Sequence, residues 1–245
     1  MRVTEQVYYY PGGKMKYIPD DWTIKQKNLS VLLSKEKTFD NGIKLLLEMH
    51  SLLHDKKVYK NINDTIYDKL WENLEEKTCK IISSQETSIL WNIWHITRIE
   101  DIVGNILIKN GETIFNNDVQ VKLNITIKNT GNSMSHKEIE EFNNSISIKE
   151  LNKYRTLVGK SIKKIIENLE FIDMKRKVEK NQLEKIKENG GIIKDRNLVE
   201  IEHKSTEWLL DFWGKKDILG LIMMPITRHQ TMHLNDCFSI KEKYN

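Results

Sequence analysis

Ser88-Ile-Leu-Trp-Asn-Ile-Trp-His-Ile-Thr-Arg-Ile-Glu-Asp-Ile-Val103 is the stretch from which the fold is read. Its apolar residues recur at helical spacing, and Trp91, His95, Ile99 and Ile102 share one face. Just upstream, Ser83-Ser-Gln-Glu86 has the pattern of a capping box, which would satisfy free N–H groups at a helix start. Asn110-Gly111 supplies a stop. The spacing therefore predicts a long helix ending near Ile108, with the His95 imidazole facing inward among apolar groups.

On the N-terminal side, a helix follows Thr38. Ile43, Leu46, Leu47, His50, Leu53 and His54 lie on one face, widened by Leu45, Met49 and Leu52. A shorter helical piece covers 66–74. Residues 1–37 read as an irregular arm of the same domain. In it, Tyr8-Tyr-Tyr-Pro-Gly-Gly is a strand end and turn, and Pro19-Asp-Asp-Trp another turn.

On the C-terminal side, 111–146 is rich in Asn, Ser, Thr and Gly, with weak alternation over 119–127. A connection this long implies a crossover or a flap. A second capping-box pattern, Ser147-Ile-Lys-Glu150, opens a third helix with Leu151, Tyr154, Val158, Ile162, Ile165 and Leu169 buried. A charged helical insert spans 173–204, broken at Asn189-Gly190-Gly191. The last helix starts near Glu207 or Lys215 and runs to Lys241. Pro225 inside it cannot donate to the Leu221 carbonyl and should kink it. The expectation is an all-α fold: a four-helix bundle over 38–245, with a long crossover between its second and third helices.

The 245 residues contain no internal repeat, so one domain is expected. Cys79 and Cys237 are the only cysteines, which fits a reducing compartment rather than a disulfide framework. There is no signal-peptide pattern and no apolar run of membrane-spanning length, so the expected location is cytoplasmic. The net charge of +4 is spread out. Its densest basic run, Met174-Lys-Arg-Lys-Val-Glu-Lys, is interrupted by acid, as on a solvated helix face, and nucleic acid is not an expected partner.

Five of the seven histidines fall inside the expected helices. His229 and His233 are spaced i, i+4 and project from one face, as two ligands of one ion would. Together with the inward His95 they offer three imidazoles. Such a set suits Zn, Ni, Cu or Fe rather than Ca or Mg and leaves open positions for water or substrate. Packing or hydrogen bonding within the core is the alternative use of the same residues.

Two stretches carry a resemblance: Ser88 to Ile102, quoted above, and Pro225-Ile-Thr-Arg-His-Gln-Thr-Met-His-Leu-Asn-Asp236. Both resemble the DinB-like superfamily of bundle metalloproteins, which includes YfiT-type proteins and thiol-dependent transferases and isomerases. Asn129-Thr-Gly-Asn-Ser-Met-Ser, Tyr154-Arg-Thr-Leu-Val-Gly and Asp211-Phe-Trp-Gly-Lys-Lys resemble one branch of it. The family pattern is one histidine on the second helix and HxxxH on the fourth. It implies His95, His229 and His233 as ligands of a divalent transition metal, Zn or Ni foremost and Fe next. The resemblance covers roughly 38–240; the arm and the charged insert depart from the minimal fold.

Other residues are placed around that site. His50 and His54, a second i, i+4 pair, would move protons, add a ligand or bind substrate, or simply hydrogen-bond within the core. Asp236, one turn past His233, would orient an imidazole or act as a base. Arg98 would anchor an anionic substrate or form an ion pair, Tyr154 would send its hydroxyl to the pocket, and Trp91 would line it. Trp94, Trp208 and Trp213 read as packing, Cys237 as a buried small hydrophobe, and His136 and His203 as ordinary polar residues. Glu100 and Asp101 point away from His95 and are left outside the site. The expected function is a metal-dependent hydrolase or thiol/group transferase acting on a small molecule, with a homodimer open to it. The alternative is a non-catalytic, stress-associated metal-binding scaffold.

Overall fold

A computed structural model of the protein describes residues 16–59, 64–192 and 206–245. The fold is all-α, and no strand occurs among these residues beyond an isolated bridge between Lys177 and Asp217. The helices are α1 (Trp22–Leu33), α2 (Phe39–Leu53), α3 (Ile66–Trp71), α4 (Glu76–Lys80), α5 (Ile89–Asp101), α6 (Asn117–Leu123), α7 (His136–Ser145), α8 (Ile148–Glu167), α9 (Lys180–Glu188), α10 (Trp208–Gly214), α11 (Ile218–Leu221) and α12 (His229–Tyr244). Among the described residues, no helix is long and apolar enough to cross a membrane.

At the centre lies α5, every residue of which is buried. It packs against α12 and α8, while α2 packs against α1 and α8. A helix enclosed on all sides must pair each polar side chain internally, because an unpaired buried polar group costs about 1–3 kcal/mol. One face solves this with the crossover. Trp91 Nε1, Trp94 Nε1, His95 Nδ1 and Arg98 Nε donate to the carbonyls of Gly131, Asn129, Thr130 and Lys128. Spacing of i, i+3, i+4 and i+7 thus pins four consecutive carbonyls of the loop along the helix.

Four local expectations are corrected. Ser88, not Ser83, caps α5: its Oγ accepts from Trp91 N at 3.0 Å, while Glu86 sits at φ +59° in a turn. Residues 22–33 form α1 rather than an irregular arm, because Trp22, Leu29 and Leu33 bury themselves in the common core. Residues 117–123 are helical rather than alternating, with Asn116 as the cap. The last helical run is divided, with α10 and α11 preceding α12. The strand-like reading of 8–13, and His203, lie outside the described residues.

Two segments widen into π-helical turns, Ile102–Ile108 directly after α5 and Ile222–Arg228 directly before α12. The second contains Pro225, which lacks the N–H that the ladder requires. Carbonyls in the widened turn find side-chain donors. The Thr227 hydroxyl lies within hydrogen-bonding distance of the Ile222 and Met223 carbonyls, and Gln26 Nε2 on α1 donates to Met223 O. His229 therefore begins α12 on a turn fixed from outside the helix.

Candidate metal centre

His95 on α5 and His229 and His233 on α12 bring their ring nitrogens together. His229 Nε2 lies 3.2 Å from both His95 Nε2 and His233 Nε2. Two imidazoles on a tetrahedral zinc at ordinary Zn–N lengths would be about 3.3 Å apart. Trp91 stacks on His95 with ring centroids 4.6 Å apart and so walls one side of the cluster. His95 is buried, whereas His229 and His233 keep part of their surface accessible.

Proton placement shows what the arrangement lacks. His95 Nδ1 is 2.8 Å from the Thr130 carbonyl, which only accepts, so Nδ1 carries the proton. His233 Nδ1 is 2.6 Å from Asn92 Oδ1. Asn92 Nδ2 is already committed to Ser88 O and Thr87 Oγ1, so Oδ1 is the atom facing the ring. Burial pushes the His95 pKa down to about 4, against the opposing pull of the Thr130 carbonyl. Burial, followed by the neighbouring imidazoles, places His233 well below its ordinary value. Burial, then His95, does the same for His229. Near neutral pH, His95 and His233 thus both present Nε2 lone pairs to His229 Nε2. One ring proton on His229 can satisfy only one of them. Its Nδ1 is buried without a hydrogen-bond partner among the described residues. A cation accepting all three lone pairs resolves the conflict, and the donor set fits one.

The other i, i+4 pair forms a separate group. His50 Nε2 and His54 Nε2 each lie 3.1 Å from Glu100 Oε1, and all three side chains are fully buried. His50 Nδ1 is 2.7 Å from Tyr59 Oη. Glu100 Oε2 has no hydrogen-bond partner among the described residues and faces Arg155 Nη1 at 3.8 Å. Burial alone would raise the Glu100 carboxyl; His54 and the hydrogen bonds from His50 and His54 outweigh it and hold it below the usual carboxylate range. Burial takes His54 down to about 3, so near neutral pH its hold on Glu100 is a hydrogen bond from a neutral ring. Two groups of side chains able to hold a metal ion are therefore present.

The remaining expectations are rearranged. His50 and His54 join Glu100 rather than the three-histidine site. Asp236 does not orient His233, because Asn92 occupies its Nδ1. Arg98 is fully buried and forms the ion pair that was one of its two expected roles, with Asp101 Oδ2 at 3.5 Å. It is also bonded to the Lys128 carbonyl and stacked over the Phe115 ring at 4.6 Å, so it braces the crossover. Tyr154 Oη donates to Asp101 Oδ2 at 2.7 Å rather than to a residue of either histidine cluster. Cys237 is buried, and desolvation lifts its thiol well above the ordinary range. His136 is exposed at the start of α7.

Sequence reasoning missed Asn92, Thr130, Glu100 and Arg155. One signal was available for Glu100: a carboxylate in a helix apolar on all sides needs a buried partner. The loop carbonyl of Thr130 carries no sequence signal. Compared with the models of known protein families and with curated proteins, the chain matches none.

Proposed function

We propose that the protein is a metal-dependent enzyme of the hydrolase or group-transfer class, acting on a small molecule. His95, His229 and His233 would hold the ion, with zinc or nickel the best matches to three imidazoles and iron next. The observation that carries this reading is the convergence of three Nε2 atoms where the protein's own protons cannot satisfy all of them. The likeness of the two histidine-bearing stretches to the DinB-like superfamily supports it. When bound, such an ion supplies Lewis acidity, which activates a water or thiol near neutral pH and polarises a carbonyl. The chain's own contribution is positioning: Thr130 and Asn92 fix two imidazole tautomers, and Trp91 walls one side. Partial accessibility at His229 and His233 supports an approach for substrate from that side.

The test begins with elemental analysis of protein purified without a histidine tag. Close to one transition-metal ion at this site, lost in His229→Ala, is expected. Metal-loaded protein is then assayed on ester, amide and thiol-conjugation substrates. Turnover that survives His229→Ala unchanged overturns the catalytic reading. Tight metal binding with no turnover on any panel would favour a non-catalytic metal-binding role.

A further inference from the structure

We propose that His50, His54 and Glu100 form a second divalent-cation site, independent of the first and suited to iron(II) or manganese(II). Its ligand atoms come from two elements. His50 lies on the last turn of α2. His54 is the residue after that helix, and its ring lies 4.2 Å from that of His50. Glu100, on α5, meets both Nε2 atoms with one oxygen. All three ligand atoms lie within 4.8 Å of one another. Two imidazoles and a carboxylate with open positions are the ligand set of non-haem iron(II) sites, and a carboxylate also suits manganese.

An unpartnered buried oxygen in the same cluster points the same way. Glu100 Oε2 has no hydrogen-bond partner among the described residues. Arg155 does not supply one: its Nη1 stands 3.8 Å from that oxygen, beyond hydrogen-bonding distance, and bonds Thr97 Oγ1, while its Nη2 bonds Leu53 O and Gln230 Oε1. It offsets the carboxylate charge without closing the oxygen to a ligand. Tyr59 Oη beside His50 Nδ1 is placed as an outer partner that fixes a ligating imidazole. The fold also reserves room for the His54 ring: a Cβ at Gly159 would lie 2.6 Å from His54 Nδ1.

Nothing in the proposal rests on the three-histidine site, and the experiment separates the two. Protein first given one equivalent of zinc(II) is titrated with manganese(II), read by the loss of the free-ion electron paramagnetic resonance signal. One bound manganese per chain is expected in the zinc-loaded wild type and in a His229→Ala, His233→Ala double variant titrated without added zinc. Glu100→Gln should weaken it at least about tenfold while the zinc equivalent remains. Wild type that takes up no manganese, or Glu100→Gln that binds it as well as wild type, overturns the proposal. If Glu100→Gln does not fold, nitrogen-15 imidazole spectra of wild type decide. A second zinc equivalent should move the His50 and His54 Nε2 signals to metal-bound positions, and unmoved signals overturn the proposal.

Discussion

Two histidine pairs with identical i, i+4 spacing sit against the same buried helix, and the third member separates them. His229 and His233 meet His95, whereas His50 and His54 meet Glu100, five residues further along α5. The first group is three neutral rings with an accessible edge. The second is sealed and carries its own anion, partly balanced by Arg155 at 3.8 Å. Spacing on one helix offers a pair of ligands, but the residue opposite sets charge and chemistry. The second cluster is accordingly tied to stability, because a buried carboxylate must be compensated even in the absence of an ion.

The largest expected effect follows from that difference. Arg155→Met removes the one arginine or lysine paired with Glu100 among the described residues and leaves a buried charge uncompensated. Loss of one partner of a buried pair costs about 3–5 kcal/mol, so the urea midpoint should fall steeply. The zinc equivalent at His95, His229 and His233 should survive in the folded fraction. A loss below about 1 kcal/mol would show that the two imidazoles alone sustain the carboxylate.

Gly159→Ala tests the same cluster more gently. Its new Cβ would press on the His54 ring, which must shift within a packed interior. Overpacking of this kind costs about 1–3 kcal/mol. Manganese uptake at His50, His54 and Glu100 should weaken, while zinc uptake at the other group stays unchanged. Equal weakening at both would mean that the clusters are mechanically coupled through α8, and the contrast between them would fail.

How far each cluster was legible in the sequence follows from how local its determinants are. Both i, i+4 pairs are visible because helical geometry sets them within four residues. The inward heading of His95 is visible from the apolar residues that share its face. The all-α class follows from the same periodicity. Glu100 was misjudged because its direction was measured from His95 alone, as though α5 had one buried face. The fully buried α5 has no solvent side, so pointing away from one site meant pointing into another. Asp236 was named to orient an imidazole because it lies one turn past His233 on the same helix, and Asn92 went unnoticed. The actual partner lies 141 residues away in sequence, which only the α5–α12 packing reveals. For Arg98 the ion-pair reading holds, through Asp101 three residues on, while its bond to the Lys128 carbonyl on the loop left no trace in the sequence.

That long-range partner gives the smallest effect and the finest test of the first cluster. Asn92→Leu keeps the volume of the side chain but removes the acceptor that holds His233 Nδ1–H. The His233 ring then loses both its fixed tautomer and its orientation, so more rotational freedom must be surrendered on ligation. Removing such an outer partner lowers metal affinity by about 10–100-fold. The lower end applies here, about tenfold, because Trp91 still packs beside the ring with centroids 5.9 Å apart. Competition with a zinc chelator should read the change directly, and manganese uptake at the Glu100 cluster should not move. An unchanged zinc affinity would mean that the α12 backbone, rather than Asn92, orients His233, and the first cluster would then be as self-contained as its helical spacing.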